Sequence, residues 1–473
     1  MTIRRGRVRL IALSLVICTP LFGMPGIATA TVHHQTSDRD GGGSTWIPEE
    51  APVPSNAYVN NGPDLLSVAC PITNQCFGVG DYYSASGGEG IPEGVIDTLS
   101  GMGSSFIEAP LPTPGTRGAL LSISCVTTTS CVAVGSYSSN GSDVDGLIDT
   151  LANGAWTATE APMPSGGGIQ LTQVACPVAG TCVAIGEYSS SGVDFPGQGL
   201  IETLSSGTWS DAIAPLPSNA SEGQSNQILR DLSCLSAASC VAVGDYPDTQ
   251  GNTQGLIETL AQGMWTPVEA TLPPGGSVVN QDASLNGLSC PEVGSCVAAG
   301  YYGTGSNPLG LIETLSGGTW TRAEAPLPAS ATGAQITAVE CPTTGSCVAV
   351  GLRQPSNLGF AETLHRGIWT AEDVPIPSNA ERGGPGPGLS LPACPTKRLC
   401  VSVGTYTAKH NLTLGLIEKF SGRRWTVIEA PLPSNSAENS ALNAVACPVA
   451  RHCVAVGGYT DKTKTSEGLI ESQ

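Results

Sequence analysis

A pair of cysteines spaced C-x5-C recurs eight times along this 473-residue chain, and each pair opens a short apolar run that ends in glycine. The leading cysteines are Cys70, Cys125, Cys176, Cys234, Cys290, Cys341, Cys394 and Cys447, at intervals of 51 to 58 residues. A fixed period of that size marks a repeat architecture, in which one supersecondary unit is copied and each copy covers the apolar face of the next.

The third unit shows what one copy contains: LTQVAC ending at Cys176, CVAIGEY from Cys182, GLIETL from Gly199 and WSDAIAPLP from Trp209. Each segment is short, rich in Val, Ile, Leu and Thr, and bounded by Gly, Pro, Ser or Asn. That is the signature of strands, and no window holds a helical period. We label the four segments A to D. Proline opens most A–B loops (Pro71, Pro177, Pro291, Pro342, Pro395 and Pro448), where its missing N–H ends the ladder. The two cysteines of a unit then face each other across the mouth of a hairpin, a separation that a disulfide spans. The expected bridges are Cys70–Cys76, Cys125–Cys131, Cys176–Cys182, Cys234–Cys240, Cys290–Cys296, Cys341–Cys347, Cys394–Cys400 and Cys447–Cys453. Structural zinc is the competing reading, but its ligand pairs usually lie two to four residues apart and each metal needs two of them.

Strand B places glycine after its apolar run in every unit (Gly80, Gly135, Gly186, Gly244, Gly300, Gly351, Gly404, Gly457), often with a small residue two positions earlier. Small side chains there let neighbouring backbones approach closely, as sheets packed around an axis require. Four-stranded units at such a period build a β-propeller. The chain ends say how it closes. Trp46 to Pro52 reads as a strand D without A, B or C, and Gly468 to Glu471 as a strand C without D. Joined, they make an eighth unit and remove an open edge. The expected fold is therefore all-β: an eight-bladed propeller of four-stranded blades, closed by the N-terminal strand, with one hairpin disulfide per blade.

Residues 1–30 read as a secretory signal, with Arg4, Arg5, Arg7 and Arg9 before an apolar run from Leu10 to Phe22 and small residues at Ala28-Thr29-Ala30. Residues 31–44 follow as a flexible linker, and 45–473 form the propeller. The apolar run is too short for a membrane span, and no later stretch approaches one. Losing those four arginines takes the net charge from −19 to −23. Such a chain is repelled by phosphate backbones and anionic membranes, which excludes nucleic acid and membrane insertion from its expected partners. Sixteen of the 17 cysteines fall in the local pairs, as expected of a chain exported to an oxidising compartment.

The C–D corner Thr203-Leu204-Ser205-Ser206-Gly207-Thr208-Trp209 resembles the Asp-box of sialidase-type propellers, although it lacks the aspartate. The run Cys182-Val183-Ala184-Ile185-Gly186 resembles the strand B motif of propellers like the photosystem II stability and assembly factor. Phe106 stands where the other units have Trp. The resemblance implies the fold and carries over no catalytic residue.

Loop lengths point to a working face. The A–B loop is always five residues, whereas the distance from the strand B glycine to the strand C glycine runs from 8 to 14. The B–C and D–A loops, on the same rim of a propeller, are thus the expected binding surface. An acid occupies strand C in every unit (Asp97, Asp149, Glu202, Glu258, Glu313, Glu362, Glu418, Glu471). Two strand spacings from the innermost strand, these acids cannot converge, so they are expected to accept hydrogen bonds from backbone N–H or the tryptophan indole. The strand D acids (Glu50, Glu108, Glu160, Glu269, Glu324, Asp373, Glu429) are expected to be solvated, and the tyrosines after strand B to cap the core. Residues that break the repeat in strand A are the candidate ligand contacts: Arg230, Asp231, Asn286, Glu340 and Asn443. Asp143 to Gly146 and Asp248 to Asn252 are faintly like calcium loops, but neither completes the pattern. No metal or cofactor is expected. The expected function is that of a secreted or wall-associated monomer that binds an extracellular glycan or protein. The alternative is a hydrolase or lyase acting on polysaccharide at the channel mouth.

Overall fold

A computed structural model describes residues 45–473, apart from 59–60, 86–89, 102, 140, 142–143, 192–196, 222–225, 275–281, 304–306, 330 and 382–387. The signal and linker expected over 1–44 lie outside the described residues.

Eight antiparallel sheets form the blades, each in the order A-B-C-D from the axis outward. Blades 1 to 7 run over 64–108, 117–160, 168–213, 228–269, 282–324, 333–373 and 388–429. Blade 8 combines 436–472 with Ile47–Glu50, which pairs with Ser466–Ser472 from Ile47↔Ser472 to Glu50↔Leu469. The closure expected from the split repeat is present. Among the described residues helix is confined to one 3-10 turn, Lys409–Asn411.

The core is distributed. Eight apolar clusters sit between consecutive blades, for example Val134 and Ile148 of blade 2 against Ile169, Leu171 and Leu200 of blade 3. The eighth joins Val456 and Ile470 of blade 8 to Leu65 and Val95 of blade 1, so the ring has no open interface. Each blade carries its disulfide, with Cα atoms 4.0 to 4.1 Å apart. In blades 2 and 4 the bonded cysteines are direct cross-strand partners.

The strand B glycines are required by contact. A Cβ at Gly244 would stand 1.9 Å from the carbonyl oxygen of Ile228 on strand A. Gly244→Ala is therefore expected to cost about 3 kcal/mol. Urea denaturation of the variant checks this, and an unchanged midpoint would contradict the close approach.

Blade 7 departs from the pattern. Pro392 interrupts its innermost strand, which survives as Gly388–Leu389 and Ala393–Thr396. Phe106 is also displaced from the tryptophan register. Trp156 pairs across from Leu151, whereas Phe106 pairs across from Asp97, and Ser104 takes the position opposite Leu99.

Candidate functional site

Strand A lines the axis, and in seven blades its ladder breaks after the same core residue. The extra residues are Leu66, Leu121, Thr172, Arg230, Asn286, Thr337 and Asn443. A bulge turns side chains out of the ladder; Thr172, Thr337 and Arg230 bond within their own blade, whereas the two asparagines reach the next one. The Asn286 Nδ2 donates to the Ile336 carbonyl at 2.8 Å, and the Asn443 Nδ2 to the Leu65 carbonyl and to Asp64 Oδ1, both at 2.9 Å. Asp231, the next residue along, accepts from its neighbour Leu232 N–H at 2.8 Å and from Leu288 N–H of blade 5 at 2.7 Å. Ser122 and Ser124 accept from Val174 and Cys176 of blade 3 in the same way. Asn286, Asn443 and Asp231 thus strap one blade to the next.

Arg230 and Glu340 complete the set. Arg230 Nε donates to Asp245 Oδ2 at 2.7 Å, and Ser284 Oγ reaches the same oxygen at 2.7 Å. Glu187, buried nearby, is pushed up to about 7 by burial. Glu340 accepts from Ser289 Oγ at 3.3 Å, and burial, with Asp231 close by, raises it to about 7. Burial raises Asp231 to about 7 as well, against the pull of its two backbone donors. The five candidates come together around the axis of blades 4 to 6, except Asn443, which lies at the 8–1 junction.

Two sequence expectations need correction. The strand D acids are not merely solvated. Glu108, Glu160, Glu269, Glu324, Glu429 and Glu50 accept from the hydroxyls of Tyr82, Tyr137, Tyr246, Tyr302, Tyr406 and Tyr459 at 2.7 to 3.0 Å. In four of these pairs an asparagine of the preceding D–A loop (Asn56, Asn219, Asn379, Asn435) joins both groups. Blade 6 has Arg353 in place of the tyrosine, paired with Asp373. A buried hydroxyl needs an acceptor, and strand D of the same blade, two strands further out, supplies one.

The strand C acids are also not generally hydrogen-bonded. In Asp149, Glu202, Glu258, Glu362, Glu418 and Glu471 neither carboxylate oxygen has a partner. Glu313 shows the reason: it accepts from Thr271 N at 2.8 Å and Thr271 Oγ1 at 3.0 Å, on the tail of the preceding blade. The other units have proline at that position (Pro52, Pro110, Pro162, Pro215, Pro326, Pro375, Pro431), which offers neither donor. Burial therefore governs these acids, with the charge of Asp211 adding to it at Glu202, and raises them to about 8 or 9.

On the variable rim, Asp248 Oδ1 accepts from the N–H groups of Gln250 and Asn252, and Oδ2 from the side chains of Asn252 and Gln254. Burial raises this carboxyl, but the four amide donors outweigh it and hold it low. Its oxygens are occupied by the turn itself. Asp143 lies outside the described residues. Among the described residues no group of three His, Cys, Asp or Glu side chains is placed to hold a metal ion.

Two clefts open on the opposite, disulfide face. One, of about 400 Å³, lies between blades 6 and 7 and is lined by His365, Lys397 and Arg423 among others. The second, of about 190 Å³, lies between blades 8 and 1 beside Ser104 and His452. It sits where blade 1 has no tryptophan in register. In blade 2 the equivalent Trp156 packs edge-on against Phe77 of blade 1, with ring centroids 6.2 Å apart. Loop lengths do not reveal these clefts. The signals that do are the displaced aromatic of blade 1 and the uneven distribution of lysine and arginine.

No family model and no curated protein matches the chain. Solved structures do. Sqt1 from Chaetomium thermophilum is 12% identical with a TM-score of 0.50, over 87% of this chain and 96% of that one. YCF48 bound to D1 peptide is 12% identical with a TM-score of 0.39, over 76% and 93%. Trypanosoma rangeli sialidase in complex with sialic acid is 11% identical with a TM-score of 0.37, over 67% and 55%. The structural neighbours thus include both propeller types that the strand motifs resemble.

Proposed function

We propose that the chain is an exported monomeric binding module that engages an extracellular glycan or protein through its B–C and D–A loops. The observation that carries this is the division between the two rims. Every A–B loop holds five residues inside a disulfide, while the spacing across the B–C loops runs from 8 to 14. Length variation on a rigid frame is what recognition uses. Eight disulfides also fit an oxidising, extracellular setting. The repeated polar groups hold the frame: tyrosines on strand D acids and strand A side chains on the next blade. Specificity then falls to whatever departs from the repeat.

An enzyme with its site at the channel mouth is less well supported. Glycoside hydrolysis needs two carboxyl groups free to move a proton or attack. Asp231, a buried acid of the channel, has each oxygen engaged by a backbone N–H. Purified protein should be retained on at least one member of a panel of immobilised polysaccharides or envelope proteins without releasing product. Turnover abolished by Glu340→Gln would overturn the reading in favour of the enzyme, and retention on no member would overturn binding.

A further inference from the structure

The disulfide face changes character in its last three blades. Between residues 45 and 350 the only lysines or arginines are Arg117, Arg230 and Arg322, whereas twelve follow between 351 and 473. Lys397 and Arg398 sit in the A–B loop of blade 7, and Arg423 and Arg424 in its C–D turn. Arg366 extends the group from the C–D turn of blade 6, and Arg451 from the A–B loop of blade 8. All are exposed. The two ion pairs of the described residues, Arg230–Asp245 and Arg353–Asp373, involve none of them.

The backbone accommodates this cluster. Other C–D turns place two successive residues at positive φ, as in Ser206-Gly207 and Gln262-Gly263. The turn of blade 7 has one such residue instead of two: Gly422 takes a positive φ of 79°, which leaves position 423 open to arginine. A Cβ at Gly422 would lie 3.2 Å from the Cβ of Arg398, so the two cationic loops of the blade touch.

Between blades 6 and 7 these loops border the cleft of about 400 Å³. Lys397, Arg423 and His365 stand on its wall, with one acid, Glu372. Partial burial raises the Glu372 carboxyl above its ordinary range.

We propose that this cleft is an anion site for an acidic polysaccharide, with Lys397 and Arg423 holding a carboxylate or phosphate group of the polymer and Arg366, Arg398, Arg424 and Arg451 following its neighbours. Guanidinium forks match both oxyanions, and a concave site between two blades suits one group of a chain. A duplex nucleic acid needs a longer track of phosphate contacts and would run onto the acidic blades. A single strand needs exposed aromatic platforms. The aromatic of this cleft, Phe420, is only 7% exposed. The site is on the face opposite the variable loops and stands independently of the function proposed for them.

Affinity electrophoresis tests it, in gels containing polygalacturonate (carboxylate), poly(glycerol phosphate) (phosphate) or neutral dextran. At least one acidic polymer should retard the native protein, less so as salt rises, and neutral dextran should not. The double variant Lys397→Glu with Arg423→Glu should weaken retardation about tenfold or more. Lys397→Gln with Arg423→Gln, which adds no negative charge, should weaken it in the same direction. Arg322→Glu, on the outer strand of blade 5, should leave it within about twofold. Matching melting temperatures establish that the variants are folded. Failure of both acidic polymers to retard the protein overturns the proposal. So does an equal loss in Arg322→Glu, or tighter binding to phosphatidylglycerol vesicles or DNA than to either polymer.

Discussion

The melting temperature should fall steadily from pH 5 to pH 9, by roughly 10 °C or more. Eight strand C acids, each at most 1% exposed, sit between the blades. Asp97 is raised to about 7, Asp149, Glu202 and Glu362 to about 8, and Glu258, Glu418 and Glu471 to about 9, in every case first by burial. The unfolded chain releases these protons near pH 4 to 4.5, whereas the native chain keeps them. Stability from this source is therefore complete below the unfolded pKa values. It declines as pH rises and is gone once pH has passed the folded values. Even one buried ion without a partner costs several kcal/mol, so the ring loosens before all eight have ionised. Surface repulsion among the exposed acids acts in the same direction, but salt screens it. Thermal melts at high ionic strength isolate the buried contribution. Glu258→Gln has no proton to lose, so it should change the melt little at pH 5 and raise it at pH 9 by the equivalent of several kcal/mol. A melting temperature that stays flat from pH 5 to pH 9 in high salt would sink the account.

Trp46→Ala should be among the most damaging single changes to the wheel, at about 4 kcal/mol. Trp46 is 5% exposed and packs with Cys453, Ala455 and Tyr459 of blade 8 and with Val401 and Val403 of blade 7. Four residues later, at the end of the strand that Trp46 precedes, Glu50 receives the Tyr459 hydroxyl and the Asn435 amide, both at 2.7 Å. This short segment therefore fills an interface and supplies the acceptor for a buried hydroxyl. Trp209→Ala makes the comparison within blade 3, where the ring is only half-buried and the blade comes from one stretch of chain. It should cost about half as much. Removing residues 45–51 altogether should do more than lower stability, since Ser466–Ser472 then becomes a bare edge that pairs with other molecules. Urea denaturation and light scattering check both effects. A truncated protein as stable and monodisperse as the full one would show that the seal is dispensable.

Much of this frame was legible because propeller repeats write their geometry locally. The C-x5-C hairpins, the strand B glycines and the strand D divided from its blade each depend on neighbours close in sequence or at one fixed period. The residues that break the period were legible as exceptions but not in their role. Asn286 and Asp231 looked like ligand contacts, yet their partners are backbone groups about 50 residues away on the next blade. No residue in their own unit announces that. The strand D acids read as solvated for a different reason: their partners, a tyrosine or in blade 6 Arg353, lie in the same blade but come within reach only once strand C has folded between them.

Three things were settled by the order of amino acids alone: the number of blades, the crosslink in each and the way the circle is sealed. All three follow from periodicity and from short-range backbone chemistry. Folding in three dimensions decided which charges are spent and which are free. Seven prolines leave most strand C carboxyls without a donor, and three loops far apart in sequence gather cations around one groove. Both outcomes arise between blades, where contacts depend on how units stack and not on what any unit contains.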